Sequence, residues 1–288
     1  MNADAQLLLA SLGEYLSAKH YSPRTIRMYV SEVRYLFSYY NEAVPSSISQ
    51  HDIVKYLHFI KTVHGVGRDK CRIACSAFGF FFKHVLPTPY VAPSELYPRK
   101  EFRLPKLLSV AQFILLYNCL TNIKHKVILG MFYGSGLRLA ELQHLKMADI
   151  DRQNNQIKVR CGKGAKDRFT IFPKAILEDI KIYYRQFRPK VYLFEGQIPG
   201  EPMSDRSIQH AVRHCMKKAG FEQFGFSAHS LRHSFATHML DNGNDIHTIK
   251  ELMGHSNIES TMVYLHLQKT KRAALHSPFD ITMQETCK

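Results

Sequence analysis

The sequence predicts a mainly α-helical protein with one small β-sheet, in two domains joined by a proline-rich segment. Three observations carry this. Apolar residues recur at helical spacing through most of the 288 residues. Only residues 156–172 switch to strand-like alternation. Between Pro87 and Lys106 stand Pro87, Pro89, Pro93, Pro98 and Pro105, together with Arg99, Lys100, Arg103 and Lys106. Such a segment cannot continue a helix and is too polar for a strand, so it reads as an extended basic linker. The expected domains are residues 1–86, of four helices, and residues 107–288, helical with a β-hairpin or three-stranded sheet; 87–106 is the linker.

The first helix is expected over about 4–19. The second begins at Ser22-Pro23, an N-cap followed by proline at the first helical position. Its apolar residues Ile26, Tyr29, Val30, Val33, Leu36, Phe37 and Tyr40 keep helical spacing. Pro45 and the serines up to Ser49 break the chain. A third helix follows from Ser49, with Asp52 near its positive end, and Gly65 and Gly67 stop it. The fourth, about 68–86, buries Ile73, Ala74, Ala77, Phe78, Phe81 and Phe82 and carries Arg68, Lys70, Arg72 and Lys83 around that face.

Past the linker, helices are expected at about 109–121 and 123–133, then an interruption at Gly134-Ser135-Gly136, then a helix over Leu137–Leu145. In the hairpin, Ile157, Val159 and Cys161 alternate with polar residues, and Phe169 and Ile171 alternate again after the turn. Further helices are expected at about 174–186, 204–219, 230–242 and 246–253. Ser256-Asn257-Ile258-Glu259 reads as a capping box that opens the last. Gly243 and Gly254 suit helix stops.

Composition narrows the function. Lys plus Arg number 39 against 24 Asp plus Glu, a formal charge of +15. The excess is shared, +6 in residues 1–106 and +9 in 107–288. That balance favours a polyanion partner, nucleic acid before acidic membrane. With 45% hydrophobic residues the chain can bury a core. No run approaches the roughly 18 apolar residues of a membrane span, and the N-terminus lacks the basic-then-apolar order of a signal peptide. Cys71, Cys75, Cys119, Cys161, Cys215 and Cys287 form no CxxC pair, which suggests a reducing, cytoplasmic setting.

Four strings could carry chemistry. His229-Ser-Leu-Arg232 places an imidazole and a guanidinium on one helical face. Arginine matches two phosphate oxygens, and histidine exchanges protons near neutral pH. Gly134-Ser-Gly-Leu-Arg138 leads into a helix that also carries Glu141, where an Arg–Glu surface pair is the simplest reading. The hairpin turn carries Lys163, Lys166 and Arg168 but lacks the spacing of a Walker loop. Gly254-His255-Ser256 precedes Tyr264, expected eight residues into the last helix. His233 and His238 invite a zinc reading, but no complete ligand set accompanies them.

Taken together, Arg138, Lys163, His229, Arg232, His255 and Tyr264 form a phosphoryl-transfer set that requires no metal. The strings GSGLRLAEL, GKGAKDR, HSLRHSFATHMLDNG and LMGHSNIESTMVYLH resemble the tyrosine recombinase (phage integrase) family over about residues 107–270. Residues 1–86 look like its N-terminal core-binding domain on weaker pattern evidence. Within the family the resemblance is to the Xer recombinases, integron integrases and integrases of small transposons; no arm-binding domain is expected ahead of the four helices, and no extra helix of the kind that marks integron integrases is expected between the hairpin and His229, which points away from that subgroup.

The resemblance implies cleavage and rejoining of DNA through a 3′-phosphotyrosyl intermediate at Tyr264, without ATP or other cofactor. It implies that His229 acts as base or orienter, Arg138 and Arg232 clamp the phosphate, and His255 donates to it. Lys163 would protonate the departing 5′ oxygen, and Glu141 supports Arg138. Arg24, Arg68, Lys70, Arg72, Arg103, Lys106, Lys166 and Arg168 are the expected DNA contacts. The implied partners are double-stranded DNA with paired recombination sites, a homotetramer on that DNA, and an accessory DNA-bending protein or partner recombinase, in the nucleoid. A C-terminal segment anchored by Phe279 and Ile281 would dock into a neighbouring subunit. A relaxing topoisomerase and a non-catalytic DNA-binding regulator on the same fold are the competing readings.

Overall fold

The structure, a computed structural model, describes residues 3–41, 44–86, 105–160 and 167–265. Most of the linker including Arg103, the hairpin turn with Lys163 and Lys166, and the tail with Phe279 and Ile281 lie outside the described residues. The chain forms two compact units, Met1–Phe102 and Arg103–Lys288.

The first unit is four helices: α1 (Ala3–Ala18), α2 (Pro23–Tyr39), α3 (Gln50–Thr62) and α4 (Arg68–His84). The cap signals act locally as the sequence predicts. The Ser22 hydroxyl accepts from the Thr25 amide at 3.1 Å. Ser49 and Asp52 close a capping box, the Ser49 amide donating to the carboxylate at 3.0 Å. Phe78, Phe81 and Phe82 of α4 join Leu36 and Phe37 of α2, Leu12 and Leu16 of α1 and Ile53 of α3 in one core. Cys71, Cys75 and, in the second unit, Cys215 are buried cysteines outside any disulfide. Burial raises each above its ordinary range, Cys75 to about 11, so they serve as small core residues.

In the second unit, α5 (Val110–Asn118) opens on a Ser109–Gln112 capping box, and α6 (Ile123–Ser135) runs through its middle. Val127 to Phe132 are buried all round, the mark of a central helix. α6 packs against α8 (Leu177–Phe187), α9 (Asp205–Lys218) and α10 (Ala228–Asp241). It does not stop before Gly134 as expected; it continues through Ser135 and ends at Gly136, which is left-handed at φ 60°.

The following helix is shorter than predicted. α7 spans only Leu139–Gln143, because Arg138 is an N-cap with extended backbone. The sheet has three antiparallel strands in the order β1 (Ile150–Asp151), β2 (Gln156–Val159), β3 (Arg168–Ile171), with Val159 opposite Arg168. The buried Thr170 hydroxyl donates to the Ser135 carbonyl at 2.7 Å and ties the sheet to the end of α6. The buried Leu108 amide donates to Ser234 Oγ at 2.8 Å, fixing the start of this unit on α10.

α11 (Ile246–Met253) ends at Gly254, left-handed at φ 61°. α12 is only Glu259–Met262. The expected Ser256 capping box does not form; Asn257 Oδ1 accepts from the Glu259 amide at 3.1 Å instead. Tyr264 therefore lies in the turn after α12, not within a long helix. Its ring packs with Phe235, Leu240, Ile249 and Met253 in a small separate core. Among the described residues no helix is long and apolar enough to cross a membrane.

Candidate active site

Three helix boundaries and one strand end meet at a cluster of arginines around Glu141. Arg138 stands at the start of α7, and its backbone amide donates to Glu141 Oε2 at 2.7 Å. Its guanidinium donates to Glu141 Oε1 at 2.8 Å and to the Gly254 carbonyl at 2.8 Å. Arg232, on α10, is 5% exposed. It donates to the carbonyls of Gly136 and Met253, the latter at 2.6 Å. Arg168, at the start of β3, donates to Glu141 at 2.9 Å and to the Leu252 carbonyl at 3.1 Å.

Helix C-terminal carbonyls carry partial negative charge. The ends of α6 and α11 thus hold cations that would otherwise repel one another. The two left-handed glycines are needed for this. A Cβ on Gly136 would lie 2.4 Å from Phe235 Cδ1, and one on Gly254 would lie 2.6 Å from Arg168 Cδ. Only glycine allows both the turn and the close approach.

Glu141 is the counter-charge of the cluster. Burial acts to raise its carboxyl, but the Arg168 charge, the Arg138 amide and the Arg232 and Arg138 charges outweigh it, and it lies below its ordinary 4.5. Protonating it costs more in the folded chain than in the unfolded one. Its contribution is therefore complete above the ordinary carboxylate range and disappears as pH falls through the depressed folded value. Glu141→Gln is expected to lose about 3 kcal/mol at neutral pH, because three guanidiniums lose their buried partner. The gap to wild type should narrow on acidification, as read from denaturant midpoints across pH. A constant gap would mean the carboxylate charge is not what matters.

The remaining groups surround Tyr264. His255 Nδ1 is 2.9 Å from the Thr261 hydroxyl, and its Nε2 is 3.3 Å from Arg232 Nη2. Arginine can only donate, so Nε2 accepts and the proton sits on Nδ1. Burial and the arginines push His255 down to about 4, so it is neutral. Burial likewise, then Arg138, lowers Arg232 to about 9, still cationic at neutral pH. Tyr264 is 1% exposed. Desolvation raises its phenol to about 12 against the pull of Arg232 and Arg138.

Of the sequence-predicted residues, Arg138, Glu141, Arg232, His255 and Tyr264 come together here. His229 stands solvent-exposed near the start of α10 and makes no hydrogen bond among the described residues. Partial desolvation, then Arg232 and Arg138, lower its imidazole. Lys163 lies outside the described residues. Arg168, expected on the DNA-facing surface, is drawn inside against Glu141 with its side chain 12% exposed. Lys70 is committed to the buried Glu32 and lies over the Tyr35 ring at 5.5 Å. Arg24, Arg68 and Lys106 are exposed and Arg72 is half-buried.

One residue was missed. His233 Nδ1 lies 2.8 Å from the Tyr264 hydroxyl. Only its place one helical turn after His229 could have suggested it. His238 pairs with the Tyr133 hydroxyl at 2.7 Å, and among the described residues no cluster of three metal-ligating side chains forms. A groove of about 450 Å³ opens beside Arg138 and Glu141 and is lined further out by Lys146, Lys158 and Arg160.

The site thus gathers a buried tyrosine, arginines and histidines around one buried carboxylate. Comparison with known proteins identifies the family. Residues 106–271 match the family model described as Phage integrase family, and residues 8–91 match Phage integrase, N-terminal SAM-like domain. The chain is 32% identical over 274 residues to a putative integrase/recombinase of Sinorhizobium fredii, y4qK, covering 94% of this chain and 87% of that one. It is 32% identical over 271 residues to the tyrosine recombinase XerA of Thermococcus kodakarensis, covering 90% and 92%. Its fold resembles that of lambda integrase solved as a tetramer bound to a Holliday junction, with TM-score 0.70, 14% identity and coverage of 90% and 76%.

Proposed function

The chain belongs to the phage integrase family of tyrosine recombinases, and from that premise we propose that it is a site-specific recombinase whose nucleophile is Tyr264. The observation that carries this is the buried Tyr264, whose phenol feels the charges of Arg232 and Arg138 and whose ring stacks on His255 at 6.4 Å between centroids. Tyr264 Oη attacks the scissile phosphorus, the bond from phosphorus to the 5′ oxygen breaks, and a 3′-phosphotyrosyl link forms. Arg138 and Arg232 clamp the non-bridging oxygens and stabilise the charge of the pentacoordinate transition state. With a phosphate seated, Arg232 turns its donor from His255 to the phosphate and the His255 ring proton moves to Nε2, from which it donates to the phosphate; Lys163 protonates the leaving oxygen, and Glu141 orients the arginines. The covalent link conserves the phosphodiester's free energy, so a 5′-hydroxyl of another strand can rejoin it without ATP.

Residues 1–86 and 107–288 grip the duplex from two basic lobes joined by 87–106, with Arg24, Arg68, Arg72, Arg103, Lys106 and Lys166 among the contacts. Affinity then falls steeply with salt as phosphates release counterions. Assembly is a tetramer on paired sites; the lambda integrase tetramer on a Holliday junction supports this. The test uses DNA flanking the gene, incubated with the protein in EDTA and quenched with detergent. A covalent adduct whose linked peptide contains Tyr264, followed by recombinant junctions between two copies of the mapped site, is expected. Adducts linked through another residue, or relaxation of supercoils without recombinant junctions, would overturn the reading.

A further inference from the structure

Of the three histidines of α10, His229 and His233 are unequally placed toward the nucleophile. His229 and His233 stand four residues apart, on one helical face. His229, expected as base or orienter, is exposed and makes no hydrogen bond to a hydroxyl among the described residues. His233 is one turn deeper, with Nδ1 at 2.8 Å from Tyr264 Oη and its ring 5.6 Å from the tyrosine ring between centroids. Tyr264 is 1% exposed, and among the described residues His233 is the only hydrogen-bond partner of its hydroxyl.

We propose that His233 is a catalytic residue, which takes the Tyr264 proton during cleavage and returns it during rejoining. The proposal rests on Tyr264 being the nucleophile. With its ring proton on Nε2, the neutral imidazole accepts the phenolic O–H at Nδ1. As the bond from Oη to phosphorus forms, the O–H bond breaks and the proton moves to Nδ1, giving an imidazolium. The 5′ oxygen leaves with a proton from a separate donor. In rejoining, the incoming 5′-hydroxyl returns its proton to that same donor as it attacks, the phosphotyrosyl bond breaks, and the imidazolium reprotonates the departing phenolate.

The charged surroundings explain why this waits for DNA. His229 and Arg232 on the same helix face His233, and Arg138 and His255 lie around Tyr264. Burial first, then His229 and Arg232, hold His233 down to about 4, which disfavours the imidazolium. A phosphodiester seated among the arginines brings in negative charge and lifts that penalty. The nucleophile stays protonated off DNA and becomes active on it.

The test is single-turnover cleavage of a nicked suicide substrate built on the wild-type cleavage site. His233→Ala and His233→Asn are compared with His229→Ala, with DNA binding read by gel shift and folding by thermal unfolding. Asparagine keeps a hydrogen-bond acceptor near the Nδ1 position but is not a base. Both His233 variants should bind DNA normally and cleave about 100-fold more slowly. Their deficit should shrink as pH rises toward the phenol's own range, and added imidazole should partly restore His233→Ala. Wild-type rates from His233→Asn would reduce His233 to holding the hydroxyl. Full activity in His233→Ala, with the pH-dependent loss appearing in His229→Ala, would return the base role to His229. Either result overturns the proposal. A Tyr264→Phe control run alongside separates these from failure of the nucleophile, since an adduct from that variant would sink the underlying reading alone.

Discussion

Tyr264→Phe is expected to form no covalent adduct with DNA while folding and binding as the wild type does. The ring is the part of Tyr264 that packs with Phe235, Leu240, Ile249 and Met253, and phenylalanine keeps it. Only the hydroxyl is lost, together with its hydrogen bond to His233. Removing one partner of a neutral hydrogen bond costs about 1 kcal/mol, so the thermal midpoint should fall by only a few degrees. Catalysis loses everything, because no neighbouring group can take the place of the attacking oxygen. The measurement is a detergent-quenched adduct assay beside a gel shift on the same DNA. An adduct from the phenylalanine variant would place the nucleophile elsewhere, and Tyr183 or Tyr184 would be tested next. Tyr183 is buried in the main core with its phenol raised by burial, so the exposed Tyr184 comes first.

Arg232→Lys is expected to lower the cleavage rate by about 10²–10³-fold, the cost of removing one aimed donor from a transition-state oxygen. Arginine reaches the Gly136 and Met253 carbonyls at once and still faces His255. An ammonium on a flexible stem cannot bridge two fixed carbonyls and present a planar edge to a phosphate. Charge makes matters worse. A lysine starts about two units below arginine, and the surroundings that bring Arg232 to about 9 would take it toward neutrality near physiological pH. One buried carbonyl would also lose its donor, at about 1–3 kcal/mol. Single-turnover cleavage together with a denaturant melt separates the two losses. Near-wild-type cleavage by the lysine variant would mean Arg232 serves the fold and not the phosphate.

Local signals were legible wherever the physics is local. Ser22-Pro23 and Ser49 with Asp52 act on amides within one turn, and the structure places their helices as expected. The hairpin pattern led to β2 and β3, but β1 has two residues, too few for a period to show. Errors arose where two local signals competed. Ser256 and Asn257 both suit a helix start, and Asn257 takes the amide. Gly134 looked like a stop, yet the chain needs its left-handed residue at Gly136, where the carbonyl reaches Arg232.

The site was legible differently. Arg138, Glu141, Arg232, His255 and Tyr264 stand out string by string for their chemistry, but only the family resemblance joins them into one site; nothing in their spacing requires them to meet. Arg168 could not be read correctly because its partner is tertiary. Its guanidinium pairs with Glu141, 27 residues away, and with a carbonyl 84 residues away. An arginine beside a basic turn looks like a surface cation until the fold brings a buried carboxylate to it. His233 was hidden for a similar reason, since its role depends on where the chain returns after α12.

The grip on the arginines has a consequence for how this enzyme can vary. Every anchor at the end of α11 is main chain: Leu252 holds Arg168, Met253 holds Arg232, and Gly254 holds Arg138. The identities of Leu252 and Met253 are then open to exchange among side chains of similar bulk, since the carbonyls stay put. Chain length is not open. Inserting or deleting one residue between Ile249 and His255 would turn each carbonyl by about 100°, from 3.6 residues per turn, and hand every arginine the wrong partner. Drift along this stretch should therefore appear as substitutions and almost never as a change in spacing.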